Sequence, residues 1–183
     1  MPSQILVLNG ASSAGKSSLG RALQRQLGAG WFMLGVDDLL AAILPFCDDP
    51  VLIDVSSDGV VRTTDAFRRA EAAWYAGVVA IAEQSRGLIL DEVLLGGAAA
   101  QARLATVLAG PTLIWIGVVC DVAVGERREQ LRGDRVAGMH AEQRDRVHDG
   151  VKYDHIVDTS RRSPDESAHE LRAALHARGL ISG

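Results

Sequence analysis

The chain has 183 residues, 48% of them hydrophobic and 23% charged, and a formal net charge of −4. These values are typical of a single globular domain with a sizeable core. They give no electrostatic basis for binding nucleic acid, no apolar run approaches a membrane span, and the N-terminus lacks the basic region of a signal peptide. Two scattered cysteines and five histidines without metal-site spacing favour a cytoplasmic protein.

The first recognisable motif is a glycine-rich loop between an apolar strand and a helix. Gln4–Asn9 predicts a strand, Gly10–Ser17 has the spacing G-x-x-x-x-G-K-S, and leucines four residues apart up to Leu27 predict a helix. Backbone N–H groups of such a loop cradle phosphates, with Lys16 at the β- and γ-phosphates and the Ser17 hydroxyl on Mg²⁺. We therefore expect ATP and Mg²⁺ as cofactors. The expected nucleotide contacts in this loop are Gly10, Ala11, Ser12, Ser13, Ala14, Gly15, Lys16, Ser17 and Ser18.

Strand and helix patterns alternate along the rest of the chain. Trp31–Leu34 predicts a second strand, and a helix opens at Gly35 and ends at Pro45. Residues 46–64 are expected to be an insertion with a hairpin around Ser56–Asp58. The remaining expected elements are a helix from an Asp65 cap to about Gln84, a strand Gly87–Leu90, a helix to about Leu108, a strand Pro111–Val119, a helix capped by Asp121, a strand Tyr153–Val157, and a helix from the capping box Ser163–Glu166 to about Arg178.

This order of elements predicts a three-layer α/β fold with a five-stranded parallel sheet and right-handed crossovers. Because no linker or low-complexity tract divides the sequence, we expect one domain over residues 1–183. Ligands of such sheets bind at the carboxyl ends of the strands, so acidic residues at those ends are candidates for chemistry.

Two pairs of acidic residues follow predicted strands. Asp91 ends the third strand, where a second acid commonly holds Mg²⁺; Glu92 competes for that role, and a helix cap is the alternative. Asp37 follows the second strand, where a kinase needs a carboxylate to orient the acceptor hydroxyl and take its proton. Asp37 or Asp38 could instead only cap the next helix, and position alone leaves both roles open.

An arginine-rich segment lies between the fourth and fifth predicted strands, at about residues 125–150. Arginines interrupted by Gly133 and Gly138 suit a mobile lid that closes over ATP and brings guanidinium groups to the transferring phosphate. Such runs also occur as solvated, salt-bridged faces, so the lid is one of two interpretations.

Together these motifs resemble the chloramphenicol phosphotransferases, a branch of the P-loop kinases. The similarity covers nearly the whole chain and is most specific at Leu95–Gln101 and Arg132–Met139. It implies ATP-dependent phosphorylation of the primary hydroxyl of a small molecule, with Asp37 as the general base. It further implies that Lys16 and Ser17 contact phosphate and Mg²⁺, that Arg132 and the catalytic Arg135 belong to the lid, that Arg128 lies against the adenine, and that Thr159 meets its edge.

We therefore predict a phosphotransferase with an alcohol group as acceptor, and a chloramphenicol-like acceptor would link it to antibiotic resistance. Residues 44–64, expected to wall the acceptor pocket, depart from the family pattern, so the resemblance does not identify the acceptor. One alternative is a kinase of another metabolite or nucleotide, and another is a non-catalytic ATP-binding switch. Asp37 and the arginine-rich segment argue against the switch, which needs neither a base nor a phosphate clamp.

Overall fold

The chain folds into seven strands and seven helices within the residues that the structure describes. The structure is a computed structural model that describes residues 3–43, 53–55, 61–132 and 138–181, with the backbone alone at 53–55, 61–63 and 132. Within these ranges no helix combines the length and apolar character needed to cross a membrane. In chain order the elements are β1 (Gln4–Asn9), α1 (Lys16–Leu27), β2 (Trp31–Gly35), α2 (Val36–Ile43), β3 (Ile53–Val55), β4 (Val61–Thr63), α3 (Asp65–Gln84), β5 (Gly87–Glu92), α4 (Gly97–Val107), β6 (Thr112–Val119), α5 (Val122–Arg132), α6 (Met139–Arg146), β7 (His155–Asp158) and α7 (Pro164–Ala177).

Five of the strands form one parallel sheet in the order β2-β5-β1-β6-β7. The predicted five-stranded parallel sheet is thus confirmed. β1 lies at its centre, between β5 and β6. Its apolar residues are buried on both faces of the sheet, which explains why the sequence there runs apolar without alternation.

Helices cover both faces of the sheet and complete the three layers. Leu6 and Leu8 of β1 pack in a core with α1 and α7, whereas Ile5 and Val7 pack in a second core with α3 and α4. Successive side chains of a strand point to opposite faces, so the same strand supplies both cores. All four side chains are fully buried, and each contributes roughly 2 kcal/mol of hydrophobic stabilisation.

Local side-chain signals set the ends of the helices. The predicted capping box is present: the Ser163 hydroxyl accepts from the N–H of Glu166, and the Glu166 carboxylate accepts from the N–H of Ser163. The predicted Asp65 cap is wrong, because Thr64 occupies the N-cap and its hydroxyl accepts from the N–H of Phe67 at 3.3 Å. Asp65 lies instead in the first turn, where its charge favours the helix dipole.

Two other expectations can be compared with the structure. The hairpin expected within residues 46–64 is present as the antiparallel pair β3 and β4, with Ile53 opposite Thr63; its turn lies outside the described residues. The last strand is shifted from the expected Tyr153–Val157 to His155–Asp158. Tyr153 stands before the strand, because pairing with β6 begins at His155 opposite Ile116, and the Tyr153 hydroxyl accepts a hydrogen bond from Asn9 at the end of β1.

We predict that Gly10 and Gly77 respond oppositely to substitution by alanine. A Cβ at Gly10 would lie 2.3 Å from the carbonyl oxygen of Val118, so Gly10→Ala should destabilise the fold by about 2 kcal/mol. Gly77 lies exposed inside α3 with open space around it, so Gly77→Ala should stabilise by about 0.5–1 kcal/mol through helix propensity. Urea unfolding of both variants tests this. Equal stability of the two would contradict it.

Candidate active site

The carboxyl ends of the parallel strands bring distant segments to one edge of the sheet. Leu8 of β1 and Gly35 of β2 both pair with Asp91 of β5. A Cβ at Gly35 would lie 3.1 Å from the Asp91 side chain, so glycine permits this close packing. On the other flank, Val119 of β6 pairs with Asp158 of β7. The loops that follow these strands therefore share the edge at which parallel sheets bind ligands.

The loop between β1 and α1 has the backbone of an anion-binding concavity. Gly15 (φ 92°) and Ser13 (φ 59°) adopt the left-handed conformation, and within the described residues Ser13 is the only residue other than glycine with a positive φ. Left-handed residues between ordinary ones align successive N–H groups toward an anion. The carbonyl of Ala11 accepts both the N–H of Ala14 (3.2 Å) and the Nζ of Lys16 (3.0 Å), so the loop is closed on itself.

Lys16, Ser17 and Asp91 form a polar cluster at the start of α1. The Ser17 hydroxyl donates to Oδ2 of Asp91 at 2.6 Å, and Nζ of Lys16 lies 3.7 Å from Oδ1 of the same carboxylate. Both members of the ion pair are largely buried, with relative exposures of 7% and 14%. A hydroxyl and a carboxylate are hard oxygen donors of the kind that Mg²⁺ prefers, so this pair fits the ion predicted from the sequence.

Glu92, the competing metal candidate, belongs to a different environment. Its side chain is buried and accepts a hydrogen bond from the Tyr75 hydroxyl at 3.0 Å. Burial raises the pKa of Glu92 from 4.5 to about 7, and burial also raises the pKa of Tyr75. Of the two acids, it is therefore Asp91 that contacts the phosphate loop.

Arg128 and Thr159 buttress the phosphate loop. The Thr159 hydroxyl donates to the carbonyl of Ala14 at 2.6 Å, and the Arg128 guanidinium donates to Oγ1 (3.2 Å) and the carbonyl (2.8 Å) of Thr159. A Cβ at Gly15 would lie 3.2 Å from the guanidinium and 3.3 Å from the hydroxyl. Both residues thus lie beside the loop, and the adenine contacts expected of them remain predictions.

Helix α6 contacts the phosphate loop through two side chains that the sequence did not reveal. The N–H of Ser12 donates to Oε1 of Gln143 at 2.8 Å, and the Ser12 carbonyl lies 2.7 Å from Nδ1 of the fully buried His140. The buried carboxylate of Glu129 accepts from the N–H groups of Gly138 (3.2 Å) and His140 (2.5 Å). This part of the arginine-rich segment is packed against the loop. No short-range motif marks it, since the partners are more than 100 residues apart.

Asn9 at the end of β1 joins three further segments. Its side-chain amide donates to the Val147 carbonyl and the Tyr153 hydroxyl, both at 2.6 Å, and its oxygen accepts from the N–H of Leu94 at 2.9 Å. The Tyr153 hydroxyl lies 2.6 Å from Nδ1 of His148. Burial lowers the pKa of His148, with Lys16 adding to the effect, so the imidazole is favoured in the neutral form that accepts from tyrosine.

A cavity of about 750 Å³ opens at this edge and contains most of the expected site residues. Asp37 lines it from the first turn of α2. Asp38 also lines it, but its carboxylate accepts from the N–H of Gly35 at 2.8 Å and so caps the helix. Expected residues that line the cavity are Ser12, Ser13, Gly15, Lys16, Ser17, Ser18, Asp37, Asp91, Arg128 and Thr159.

The remaining expected residues have different positions. Gly10 packs against Val118, and Ala11 contributes the carbonyl that holds Lys16. Ala14 contributes the carbonyl that holds Thr159. Arg135 and the side chain of Arg132 lie outside the described part of the chain, so their roles in a lid stay predictions.

Comparison with solved structures identifies the fold as that of a P-loop kinase. The APS kinase of Mycobacterium tuberculosis, solved with AMPPNP and APS, superposes with a TM-score of 0.68 at 18% identity, over 96% of this chain and 98% of that one. Shikimate kinase from Acinetobacter baumannii, solved with shikimate, has a TM-score of 0.64 at 18% identity, over 98% and 96% of the two chains. At these identities the two likenesses show the shared fold.

Sequence comparison identifies the family. The model of the chloramphenicol phosphotransferase-like proteins matches residues 3–176, and the chain belongs to this family. "Putative O-phosphotransferase Rv2636" of Mycobacterium tuberculosis strain H37Rv is 28% identical over 187 aligned residues, which cover 95% of this chain and 83% of the relative. The expected resemblance is confirmed, and the family favours an enzyme over a non-catalytic switch.

We predict that Glu92 makes the stability of the fold depend on pH. Because its pKa is raised from 4.5 to about 7 in the folded chain, the unfolded chain releases this proton first, and stability falls as the pH rises between those values. Across that pH range the contribution of Glu92 lowers the free energy of unfolding by about 3 kcal/mol. Glu92→Gln should remove this part of the slope when urea unfolding is followed from about pH 5 to pH 8 in chelator. If the pH dependence of stability is unchanged in Glu92→Gln, the raised pKa of Glu92 is contradicted.

Proposed function

We propose that the protein transfers the γ-phosphoryl group of ATP, with Mg²⁺, to a hydroxyl of an uncharged and largely apolar small molecule. Chloramphenicol and related primary alcohols are the leading candidates for the acceptor. The observation that carries the proposal is one cavity that is lined by the phosphate loop, the Ser17–Asp91 pair and Asp37.

The nucleotide half of the cavity supports ATP as the donor. The concavity around Ser13 and Gly15 offers aligned N–H groups at the start of α1, where the helix dipole also favours an anion. Lys16 reaches across the same loop as a buried cation. Arg128 adds a second cation beside Gly15, which suits the high negative charge of a triphosphate.

Ser17 and Asp91 are the residues that would hold the Mg²⁺ ion. The ion would neutralise charge on the β- and γ-phosphoryl oxygens. The chain contributes the orientation of the Ser17 hydroxyl, which Asp91 fixes at 2.6 Å, and the charge of Lys16. Since Lys16 already lies 3.7 Å from Asp91, the carboxylate also keeps the ammonium group at the mouth of the loop.

Asp37 is the residue we assign to the acceptor hydroxyl. The acceptor oxygen forms a bond to the γ-phosphorus while the bond from that phosphorus to the bridging oxygen of ADP breaks. The proton of the acceptor hydroxyl passes to the Asp37 carboxylate, late in the loose transition state of phosphoryl transfer. Asp38 accepts from the N–H of Gly35 as a helix cap, and Asp37 is the acid that the family resemblance assigns to the base role.

The acceptor half of the cavity favours an uncharged molecule. The lining from β2, α2 and the loop after β5 is mainly apolar, and among the described residues it carries the carboxylates of Asp37 and Asp38 and no basic side chain. An anionic acceptor would meet net negative charge there, which disfavours its binding. The apolar side chains that line this part are Met33, Leu34, Val36, Val93 and Leu95.

We predict that Asp37→Asn abolishes most transfer while leaving the fold and ATP binding intact. Asparagine keeps the size of the side chain but cannot accept the proton, so kcat should fall by about 10²- to 10⁴-fold. Mass spectrometry of the phosphorylated product tests the loss of transfer. Calorimetry tests whether ATP affinity is unchanged.

Asp38→Asn is the matched control for that variant. Its amide oxygen can still accept from the N–H of Gly35, so activity should remain within a few-fold of the unmodified protein. Loss of activity in Asp38→Asn with normal turnover in Asp37→Asn would exchange the two roles. Normal turnover in both variants would remove the base from the mechanism.

We also predict the charge preference of the acceptor. Among hydroxyl compounds incubated with Mg·ATP, chloramphenicol or a similar uncharged primary alcohol should gain one phosphoryl group. The anionic compounds shikimate and APS should react at least ten-fold more slowly, because they face Asp37 and Asp38. Faster phosphorylation of either anion would point to a metabolite kinase. No product with any hydroxyl compound would refute the proposed reaction.

A further inference from the structure

Helix α6 holds the phosphate loop at the backbone of one residue, Ser12. The N–H of Ser12 donates to Oε1 of Gln143, and its carbonyl accepts from His140. Since a carbonyl can only accept, Nδ1 of His140 carries the proton. We call His140 and Gln143 the α6 clamp. Both of its side chains come from one helix, so the N–H and the carbonyl of Ser12 are held by the same rigid element.

The clamp is itself firmly anchored. His140 is fully buried in a slot that glycine leaves open: a Cβ at Gly125 would lie 2.2 Å from its ring. The buried carboxylate of Glu129 accepts two N–H groups from the start of α6, including that of His140. These contacts join α5, α6 and the phosphate loop. The clamp therefore transmits the position of α6 to Ser12.

Ser13, the residue that follows the clamped Ser12, has a strained backbone conformation. Ser13 has φ 59°, a region that side chains other than glycine disfavour, and its buried hydroxyl has no hydrogen-bond partner in the described structure. Strain of this kind persists only where the surroundings enforce it. The Ser13 conformation is also part of the concavity offered to phosphate. Two contacts flank Ser13, the clamp at Ser12 and the Thr159 hydroxyl at Ala14, and of these the clamp holds both the N–H and the carbonyl of its residue.

We propose that the α6 clamp maintains the phosphate-binding conformation of the loop by holding the N–H and the carbonyl of Ser12, which makes His140 and Gln143 positioning residues for the polyphosphate of the nucleotide. The inference rests on the proposed use of ATP and goes beyond it, since neither side chain needs to touch the nucleotide. Without the clamp, Ser13 relaxes to a negative φ and the concavity is lost.

The decisive experiment is a double-mutant cycle between the clamp and the strained residue. Gln143→Ala should weaken binding of ATP, ADP and inorganic tripolyphosphate by about ten-fold in calorimetry. Adenosine, which has no phosphate, should bind the variant and the unmodified protein equally. Glycine adopts φ 59° without strain, so in a Ser13→Gly background the same Gln143→Ala change should cost less than about two-fold.

Two further variants separate positioning from general stability. Gln101→Ala removes a similar pair of hydrogen bonds to the backbone of a distant residue, since Gln101 donates to the carbonyl of Lys152 (2.7 Å) and accepts from the N–H of Lys152 (3.0 Å). It should leave all affinities unchanged. His140→Asn keeps a donor near the position of Nδ1 and should bind tripolyphosphate nearly normally, whereas His140→Leu should resemble Gln143→Ala.

The outcomes are distinct. Unchanged or tighter tripolyphosphate binding by Gln143→Ala would overturn the clamp. A ten-fold loss that persists in the Ser13→Gly background would also overturn it, because Gln143 would then contact the phosphates directly. If the unmodified protein binds tripolyphosphate but shows no transfer to any alcohol, the proposed reaction fails and the clamp is still tested. If it binds neither ATP nor tripolyphosphate, both proposals fail.

Discussion

Contact between the start of α1 and the end of β5 determines the distances within the site. Asp91 accepts from Ser17 on the nucleotide side and packs against Gly35, which leads into the helix that carries Asp37. Nucleotide and acceptor sides are therefore positioned relative to one carboxylate. A change in the register of β5 against either neighbouring strand would move both halves of the site together.

The sequence predicts the parts of this protein that depend on local pattern. The phosphate loop, the parallel strands and the Ser163–Glu166 capping box each arise within about ten residues, where spacing and propensity dominate. The cluster of Lys16, Ser17 and Asp91 was also predictable, because the carboxyl ends of parallel strands must share an edge. The predicted Asp65 cap was wrong because the adjacent Thr64 and Asp65 compete for the N-cap position, and a hydroxyl and a carboxylate cap almost equally well.

The supports of the loop could not be predicted in the same way. His140 and Gln143 reach Ser12 across 128 and 131 positions of sequence, and Asn9 reaches Val147 across 138. Such contacts depend on how helices pack after the sheet has formed, which no periodicity encodes. Thr159 illustrates the limit: its place after the last strand was evident, yet its hydrogen bond to the carbonyl of Ala14 was not.

The hydrogen bonds of Asn9 also bear on the deamidation of this residue. Asn9 is followed by Gly10, and an asparagine–glycine pair in a flexible chain deamidates when the glycine nitrogen attacks the side-chain carbonyl carbon. In the fold, the nitrogen and the oxygen of the Asn9 amide are both hydrogen-bonded, and the strand fixes the backbone. The side-chain carbonyl carbon is therefore not presented to the Gly10 nitrogen in the geometry that attack requires. We therefore expect deamidation mainly in the unfolded chain. An aspartate formed at this position would turn a carboxylate oxygen toward the Val147 carbonyl, and the damaged chain would refold poorly.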